Sequence, residues 1–404
     1  MGRTVLALVL FLAAGAAFSQ PTIVIERIDI SARRTSSEIL ISEMRLPKDR
    51  SSYTADEIEQ AISRLRRLPF VADATYTLES GVTPGARVLH VTVMDETPLH
   101  FRFDISGVAQ RSGYVMSLVQ AGLRYFPGRS GVLDLTLGGL ASAAGGGTGV
   151  VHFGEVTGEY TRYGLFGTSA FAGIGVTSDY NAANRLISPV VLAGVPLNQT
   201  QTIRATYARS GDKNDSSSVA KAEWLLETID DPYFARRGVS VAIGPQREKL
   251  RHVEDFVLTT PKPGGGVIRT PVHIDDTTRG NGVGVDASKY WPRAEHAALW
   301  ARLNGTYFAE RGLEKEPPLG THTSSTRREL GDLFGGVAYN FDHWRTDSDE
   351  FDRKRLEFGA GYHRDWSKSN GFAFERSGPE LFASGTYRNR YVNFRVSVFW
   401  VNSN

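Results

Sequence analysis

The side chains of this 404-residue chain that are able to carry out chemistry form no familiar catalytic pattern. The sequence has no Gly-x-Ser-x-Gly nucleophile motif, no His-Glu-x-x-His metal motif and no cysteine. Cysteine nucleophiles, Cys-ligated zinc and disulfides are therefore excluded. The nine histidines are scattered along the chain, without the close spacing of a metal site.

Two weaker patterns also favour structural roles. The glycine run Gly145–Gly149 lacks the Lys-Ser/Thr of a phosphate-binding loop, so it predicts a turn. The side-chain oxygens of Asp212 with Asn214, and those of Asp275 with Asp276, are able to bind calcium, but the composition of both segments is also that of a solvated loop. We predict a protein that is not an enzyme and that holds no cofactor and no metal.

Composition indicates a folded, β-rich chain. Hydrophobic residues make up 41% of the sequence, and 42 glycines accompany 21 Phe, 15 Tyr and 6 Trp. Glycine with dispersed aromatics favours strands over helices. The 46 basic and 44 acidic residues nearly cancel, which gives no reason to expect a nucleic-acid partner.

The first nineteen residues are typical of a secretory signal peptide. Arg3 supplies the positive charge, Val5–Phe18 is the apolar run, and small side chains at Ala17 and Ser19 predict cleavage after residue 19. The apolar run is shorter than a spanning helix needs, which disfavours a retained anchor. Since no apolar run of about eighteen residues follows, a membrane-embedded mature chain would have to cross with strands.

Residues 21–96 predict a small β-α-α-β-β unit. A β-branched strand occupies Ile23–Ile30, and Thr35 to Glu38 has the spacing of a capping box that opens a first helix. A second box at Thr54 and Glu57 opens a stronger helix that ends before Pro69. Its buried stripe comprises Ile58, Ala61, Ile62, Leu65 and Leu68. Strands then follow at 70–78 and 89–93.

This unit resembles a POTRA domain, the periplasmic module of outer-membrane assembly and secretion proteins. The resemblance covers all of the unit. Its most specific pieces are Ile25-x-x-Ile28, the Ile62…Leu65 helix that leads into Leu68-Pro69-Phe70-Val71, and Val88–Val93 before Asp95-Glu96-Thr97-Pro98. It implies that the 70–78 strand is a sheet edge that captures an unfolded client by β-augmentation. The client-binding residues would be Phe70, Val71, Ala72, Ala74, Tyr76 and Leu78. An unrelated α+β domain of the same order remains an alternative.

From residue 99 to residue 404 helical periodicity gives way to alternating segments of roughly ten residues. In the last of these, Val392, Phe394, Val396, Val398 and Trp400 share one face. We predict a mainly β protein, a transmembrane antiparallel β-barrel of about 16 strands preceded by one small POTRA domain. A soluble β-sandwich or propeller would show similar alternation. The polar segments at 211–216, 261–266 and 312–330 are predicted loops.

Asp230 to Gly238 reads Asp-Asp-Pro-Tyr-Phe-Ala-Arg-Arg-Gly. It is similar to the D-x-P-x-F-P-x-R-G segment of barrels in the BamA/TamA-like bacterial surface antigen superfamily, although Ala235 stands in place of the second proline. Asp230 stands at the first position of this pattern, and the candidate site residues of the segment are Asp231, Pro232, Phe234, Arg237 and Gly238. The resemblance further implies an arginine on a loop folded into the barrel lumen. Arg327 is the candidate, without the usual Gly-aromatic partners, and Arg279 and Arg311 compete with it.

The resemblance implies an outer-membrane barrel, with its POTRA domain in the periplasm, that acts in outer-membrane protein assembly or polypeptide translocation. Its expected partners are outer-membrane lipid, unfolded client polypeptides and periplasmic or barrel-associated proteins, and no nucleic acid. Three alternatives stay open: a passive porin-like or structural barrel, the barrel anchor of a patatin-type autotransporter, and a lipid hydrolase with a Ser-His pair on the barrel wall.

Overall fold

The computed structural model describes residues 21–47, 51–110, 114–127, 130–144, 150–179, 186–211, 215–261, 267–316, 320–344, 351–369 and 372–401. The predicted signal peptide, the predicted turn at Gly145–Gly149, Asp212 and Asn214, and most of the loop predicted at 261–266 lie outside these residues. Within them the chain is mostly strand, and it forms an N-terminal α/β unit followed by a closed β-barrel.

The N-terminal unit is a four-stranded sheet with two helices. Its elements are β1 (Thr22–Ser31), α1 (Ser37–Met44), β2 (Ser52–Thr54), α2 (Ala55–Arg67), β3 (Val71–Ser80) and β4 (Ala86–Asp95). The sheet order is β2-β1-β4-β3, with β1 parallel to β4 and the other pairs antiparallel. Strand β3 therefore lies at an edge of the sheet. The observed order differs from the predicted β-α-α-β-β order by the additional three-residue strand β2.

The two helices begin in different ways. Thr54 and Glu57 form the predicted capping box, since the Thr54 hydroxyl accepts from Glu57 N and the Glu57 carboxylate accepts from Thr54 N. The predicted box at Thr35 is wrong. Helix α1 has Ser36 as its N-cap without a side-chain hydrogen bond, because Thr35 instead donates its hydroxyl to Asp95.

Asp95, at the end of β4, fixes the loop between β1 and α1. Its carboxylate accepts the backbone N–H groups of Arg33, Arg34 and Thr35 at 2.8, 2.8 and 3.1 Å. The apolar stripe of α2 packs under the sheet, with Ile58, Ile62 and Leu65 fully buried. Hydrophobic burial therefore sets the helix face, as predicted.

In the described part of the chain fifteen strands close the barrel, in the order β5 to β19 around the wall. They are Leu99–Gln110, Tyr114–Tyr125, Gly131–Ala144, Val150–Leu165, Ala170–Asp179, Leu186–Pro196, Gln201–Gly211, Asp215–Glu227, Gly238–Pro261, Val267–Ala294, Ala297–Glu316, Gly320–Trp344, Phe351–Ser369, Phe372–Asn389 and Val392–Val401. Neighbouring strands are antiparallel except at the seam, where β19 runs parallel to β5 from Val392 beside Phe101 to Val401 beside Gln110.

The predicted fold class is confirmed, but the strand number is 15 rather than about 16. The difference comes from strand length, since β13 to β16 contain 24, 28, 20 and 25 residues. The segment at 312–330, predicted as a loop, belongs largely to the hairpin of β15 and β16. Its Ser/Thr-rich composition suits strands as well as loops.

Side chains along the wall strands alternate between the lumen and the outer surface, and β17 has charged inner and apolar outer side chains. On β17, Arg353, Arg355 and Glu357 point inward and are buried, whereas Leu356 and Phe358 point outward and are exposed.

Among the described residues no helix is both long and apolar enough to cross a membrane.

Aromatic rings fill part of the lumen beside the longer strands. Trp300, Phe334, Phe382 and Phe399 pack together with ring centroids 4.9 to 6.4 Å apart. Two glycines make space for them: a Cβ on Gly359 would lie 2.7 Å from the Trp300 ring, and one on Gly361 would lie 2.4 Å from the Phe334 ring.

Candidate functional site at the domain-facing end of the barrel

The N-terminal unit lies across one end of the barrel and packs against its short turns. Phe70 meets Tyr163 edge-on with ring centroids 5.7 Å apart, and Val132 belongs to the same buried cluster as the α2 stripe. Arg45, at the C-cap of α1, donates to Ser169 at 3.0 Å and to the carbonyl of Asn198 at 2.8 Å. The hydrophobic core of the unit thus continues into the barrel.

Two consecutive arginines at the end of α2 connect the unit to the turn after β12. Arg67 donates to the carbonyls of Glu227 at 3.0 Å and Ile229 at 2.6 Å. Arg66 pairs with Asp73 at 2.9 Å and reaches the carbonyl of Asp230 at 3.4 Å. Both side chains therefore bind backbone of the segment that carries the predicted family motif.

That segment, residues 228–237, connects β12 to β13 and is here called the plug segment. It folds into the domain-facing opening of the barrel, where Phe234 is 1% exposed and Ala235 is 4% exposed. Its own carboxylates hold its shape. Asp231 accepts from the N–H groups of Tyr233 and Phe234 at 2.8 and 2.9 Å, and Asp230 accepts from those of Arg236 and Arg237 at 2.9 and 3.2 Å.

Arg353 on β17 clamps the plug segment to the wall. Its guanidinium donates to Asp231 at 2.6 Å and lies 4.2 Å from the centroid of the Phe234 ring. Burial by itself would raise the pKa of Asp231, but the charge and hydrogen bond of Arg353 lower it to about 2. The carboxylate therefore stays ionised at neutral pH, and the ion pair persists.

Two more wall side chains bind the backbone of the plug segment. Arg355 donates to the carbonyl of Ala235 at 2.7 Å, and Asn340 donates to that of Phe234 at 3.0 Å. Arg355 is itself held by Glu357 at 2.8 Å. These contacts satisfy carbonyl groups that burial would otherwise leave without partners.

A third arginine ties the plug segment to the link between the two units. Arg388 on β18 stacks on the ring of Tyr233 at 4.0 Å and pairs with Glu96, which follows β4. His100 lies 3.4 Å from the same carboxylate. Burial would raise the pKa of Glu96, but these two partners lower it. The inter-domain link is thereby fixed to the wall.

The family-like residues occupy distinct places in this site. Asp231 and Phe234 form its buried centre, and Pro232 lines a lumen cavity. The guanidinium of Arg237 forms an ion pair with Glu59 of α2 at 3.6 Å. Gly238 has a φ of +105°, and a Cβ there would lie 2.3 Å from the carbonyl oxygen of Thr228, so only glycine fits.

The predicted client-binding strand is half covered. Phe70, Val71, Ala72 and Ala74 are buried, and Arg66 donates to the carbonyl of Ala74 at 2.9 Å. No described strand pairs with the outer edge of β3. The carbonyl of Ala74 points away from β4, whereas the N–H of Gly81 points toward Ala86. Because backbone groups alternate in direction along a strand, the N–H and C=O groups of Tyr76 and Leu78 also point away from β4, toward the open edge.

The placement predicted for Arg327 is wrong. Arg327 lies on strand β16, beside Ala309 and Lys368, with an exposed side chain, and not on a loop inside the lumen. Arg279 and Arg311 also lie on strands and are exposed. The lumen contacts come instead from Arg353, Arg355 and Arg388. The alternation of Arg353, Arg355 and Glu357 along one strand face was the signal that could have found them.

One group of side chains has metal-ligand spacing among the described residues. Asp332, His363 and Glu380 on three neighbouring strands have ligand atoms within 4.8 Å of one another. Residues 332, 363 and 380 are far apart in sequence, so the scattered histidines gave no hint of this group. The hydrogen bond between His363 and Asp332 already accounts for two of the three side chains.

Comparison with known proteins finds similarity to solved structures and no similarity in sequence. No family model matches the sequence, and no curated protein matches it. A similar solved structure is BamA from Haemophilus ducreyi lacking POTRA domains 1-3, at 10% identity and a TM-score of 0.32, with 91% of this chain and 80% of that chain covered.

Proposed function

We propose that this chain is an outer-membrane β-barrel whose N-terminal unit, a POTRA domain in the periplasm, presents client polypeptides for membrane assembly or translocation. The observation that carries this proposal is the open half of the β3 edge, held beside the plugged end of a barrel. The same chain thus offers a strand-capturing edge and a membrane wall next to each other.

The outer face of the wall supports a membrane location. Large apolar side chains are exposed there on many strands, including Ile174, Val191, Leu333, Phe358 and Leu381. Exposed apolar surface on this scale is costly in water and is stabilised by lipid. The polar inner face fits the alternation expected of a membrane barrel.

The edge of β3 supports the capture of extended peptides. An unpaired strand edge presents N–H and C=O groups that bind a client main chain whatever its sequence. Val71 to Ala74 are buried, and Arg66 already binds the carbonyl of Ala74. The part of the β3 edge that is free to pair with a client is therefore Thr75–Ser80. The bound segment would be about six residues, which is a usual strand length.

The plug segment argues against a wide passive pore. It folds into the domain-facing opening and is held there by Arg353, Arg355 and Arg388. The seam offers a different route, because parallel pairing is slightly less stable per residue than antiparallel pairing. Opening between β5 and β19 would expose a further strand edge to a client, as the resemblance to assembly barrels implies.

The test is site-specific photocrosslinking in cells, with the photoreactive residue at Thr77 on β3 or at Ser31 on β1. Both residues are exposed, but Ser31 lies two strands, or about 10 Å, from the edge. Crosslinks to unfolded outer-membrane protein from Thr77 and none from Ser31 are expected. Equal labelling from both positions, or none from either, would contradict client capture.

A further inference from the structure

The lumen contains a polar cavity of about 450 Å³ directly above the plug segment. Pro232, Tyr233 and Ala235 form its floor. Its walls come from strands on both sides of the seam, including β5 and β19. The cavity is distinct from the β3 edge and faces the interior of the barrel.

The cavity wall is positively charged. Arg102, Arg302, Arg355 and Arg395 line it, against the two carboxylates of Asp104 and Glu357. Charge removed from bulk water needs a nearby counter-charge, and a positive cavity of this kind attracts anions.

Two of the four arginines already have a carboxylate partner. Arg302 lies 3.2 Å from Glu357, and Arg355 lies 2.8 Å from the same side chain. Arg355 is also committed to the carbonyl of Ala235. Their positive charges are therefore largely neutralised by Glu357 and engaged by the carbonyl of the plug segment.

Arg102 and Arg395 differ from them. Arg102 donates to the Thr136 hydroxyl at 3.3 Å and Arg395 to the Ser384 hydroxyl at 3.4 Å, both long contacts with neutral groups. Within the described part of the chain neither guanidinium has a carboxylate within ion-pair distance. Asp104, the register neighbour of Arg395, makes no ion pair with it among these residues.

The two arginines stand on either side of the seam. Arg102 on β5 is beside Asn393, and Arg395 is two residues further along β19. Strand spacing and rise place their Cα atoms about 8 Å apart on the inner face, close enough for one anion to contact both forks. Planar guanidinium forks match the oxygen geometry of phosphate in particular.

We propose that Arg102 and Arg395 form a lumenal site for a small, soluble phosphate-bearing anion that bridges the first and last barrel strands. The cavity is larger than inorganic phosphate, which leaves room for a small organic group or for water. Since the site opens to the lumen and not to the lipid-facing surface, its ligand comes from solution. The occupied site stabilises the seam. This inference does not rest on client capture.

The test uses the full chain in maltoside detergent and titrates inorganic phosphate by calorimetry, at about 0.15 M KCl so that nonspecific attraction is screened. Saturable binding to the unmodified protein is expected. Arg102→Gln and Arg395→Gln should each weaken it by about tenfold or more. Arg328→Gln is the matched control, since Arg328 is on the same inner face but outside the cavity.

A second measurement is the temperature at which the barrel loses its heat-modifiable gel mobility, which also shows that each variant is folded. Phosphate should raise this temperature for the unmodified protein and for Arg328→Gln, but not for the two cavity variants. Absence of saturable binding, or undiminished binding by the double variant Arg102→Gln/Arg395→Gln, would overturn the site. Binding without a thermal shift would overturn the bridging of the seam.

Discussion

Arg353 on a wall strand and Asp231 in the plug segment, 122 residues apart in sequence, form a buried ion pair at 2.6 Å. The pair joins the most sequence-distinctive turn of the chain to the barrel wall. It also explains why the segment needs an aspartate there: the same carboxylate shapes the turn through the N–H groups of Tyr233 and Phe234.

Asp231→Asn should release the plug segment. Removing one charge of a buried ion pair leaves the other charge uncompensated and lowers the free energy of unfolding by about 3–5 kcal/mol. Trypsin should then cut at Arg236 or Arg237 in folded protein, where the unmodified barrel resists. Arg364→Ala, which removes an exposed pair with Glu375, is the control and should leave cleavage unchanged. Equal resistance of both variants would contradict the clamp.

Arg67→Ala should loosen the contact between the N-terminal unit and the barrel. The variant loses two hydrogen bonds to the carbonyls of Glu227 and Ile229. Hydrogen exchange of amides in the plug segment should speed up by about tenfold, equivalent to about 1.4 kcal/mol. Arg27→Ala, on an exposed pair with Asp29, should have no effect on these amides. An unchanged exchange rate in Arg67→Ala would mean that the unit does not hold the segment.

Leu65→Ala should destabilise the N-terminal unit by about 2–5 kcal/mol, through lost burial and a residual cavity. Leu65 is fully buried in the middle of the α2 stripe. Hydrogen exchange of the α2 amides in the full chain measures the loss, and Val82→Ala, at an exposed turn position, is the control. Unchanged protection in Leu65→Ala would show that this helix face does not form the core.

Glu43 gives the N-terminal unit a pH dependence. Burial raises the pKa of its carboxyl to about 7 from an ordinary value of 4.5, against the opposing effect of Arg64 at 3.2 Å. The folded state therefore holds a proton between pH 4.5 and 7 that the unfolded state has released. Stability should fall as pH rises through this interval, by about 3 kcal/mol at most, and level off above it.

The carbon-13 shift of the Glu43 carboxyl measures this directly in labelled protein. A midpoint near 7 is expected, and a midpoint near 4.5 would contradict the burial effect. Glu43→Gln should remove most of the pH slope, because an amide does not titrate in this range.

Local patterns in the sequence predicted the parts of the fold that local physics determines. The α2 stripe and the Thr54 box follow from helical periodicity and capping, and the alternation at Val392–Trp400 follows from a two-sided wall. The strand number did not follow, because the hairpin of β15 and β16 extends through a Ser/Thr-rich stretch that also suits a loop. The Thr35 box failed because a distant residue, Asp95, competes for its hydroxyl.

The sequence predicted the plug segment of the site but not the wall side chains that bind it. The sequence of the plug segment is distinctive, so Asp231 and Phe234 could be singled out. Their partner Arg353, like the Tyr233 partner Arg388, is more than a hundred residues away, and closure of the barrel brings these residues together. Arg327 was chosen by spacing from Gly238, but its strand directs its side chain away from the lumen.

The proposed client handling is measured by the rate at which an unfolded outer-membrane barrel protein folds into liposomes that contain this chain. Leu78→Pro removes a backbone N–H that alternation places on the open edge, whereas Leu78→Ala shortens the side chain and keeps that N–H. Faster folding is expected with the unmodified chain and with Leu78→Ala, and a loss of that acceleration is expected with Leu78→Pro. Folding no faster than in protein-free liposomes, or equal acceleration by Leu78→Pro, would contradict client handling by this edge.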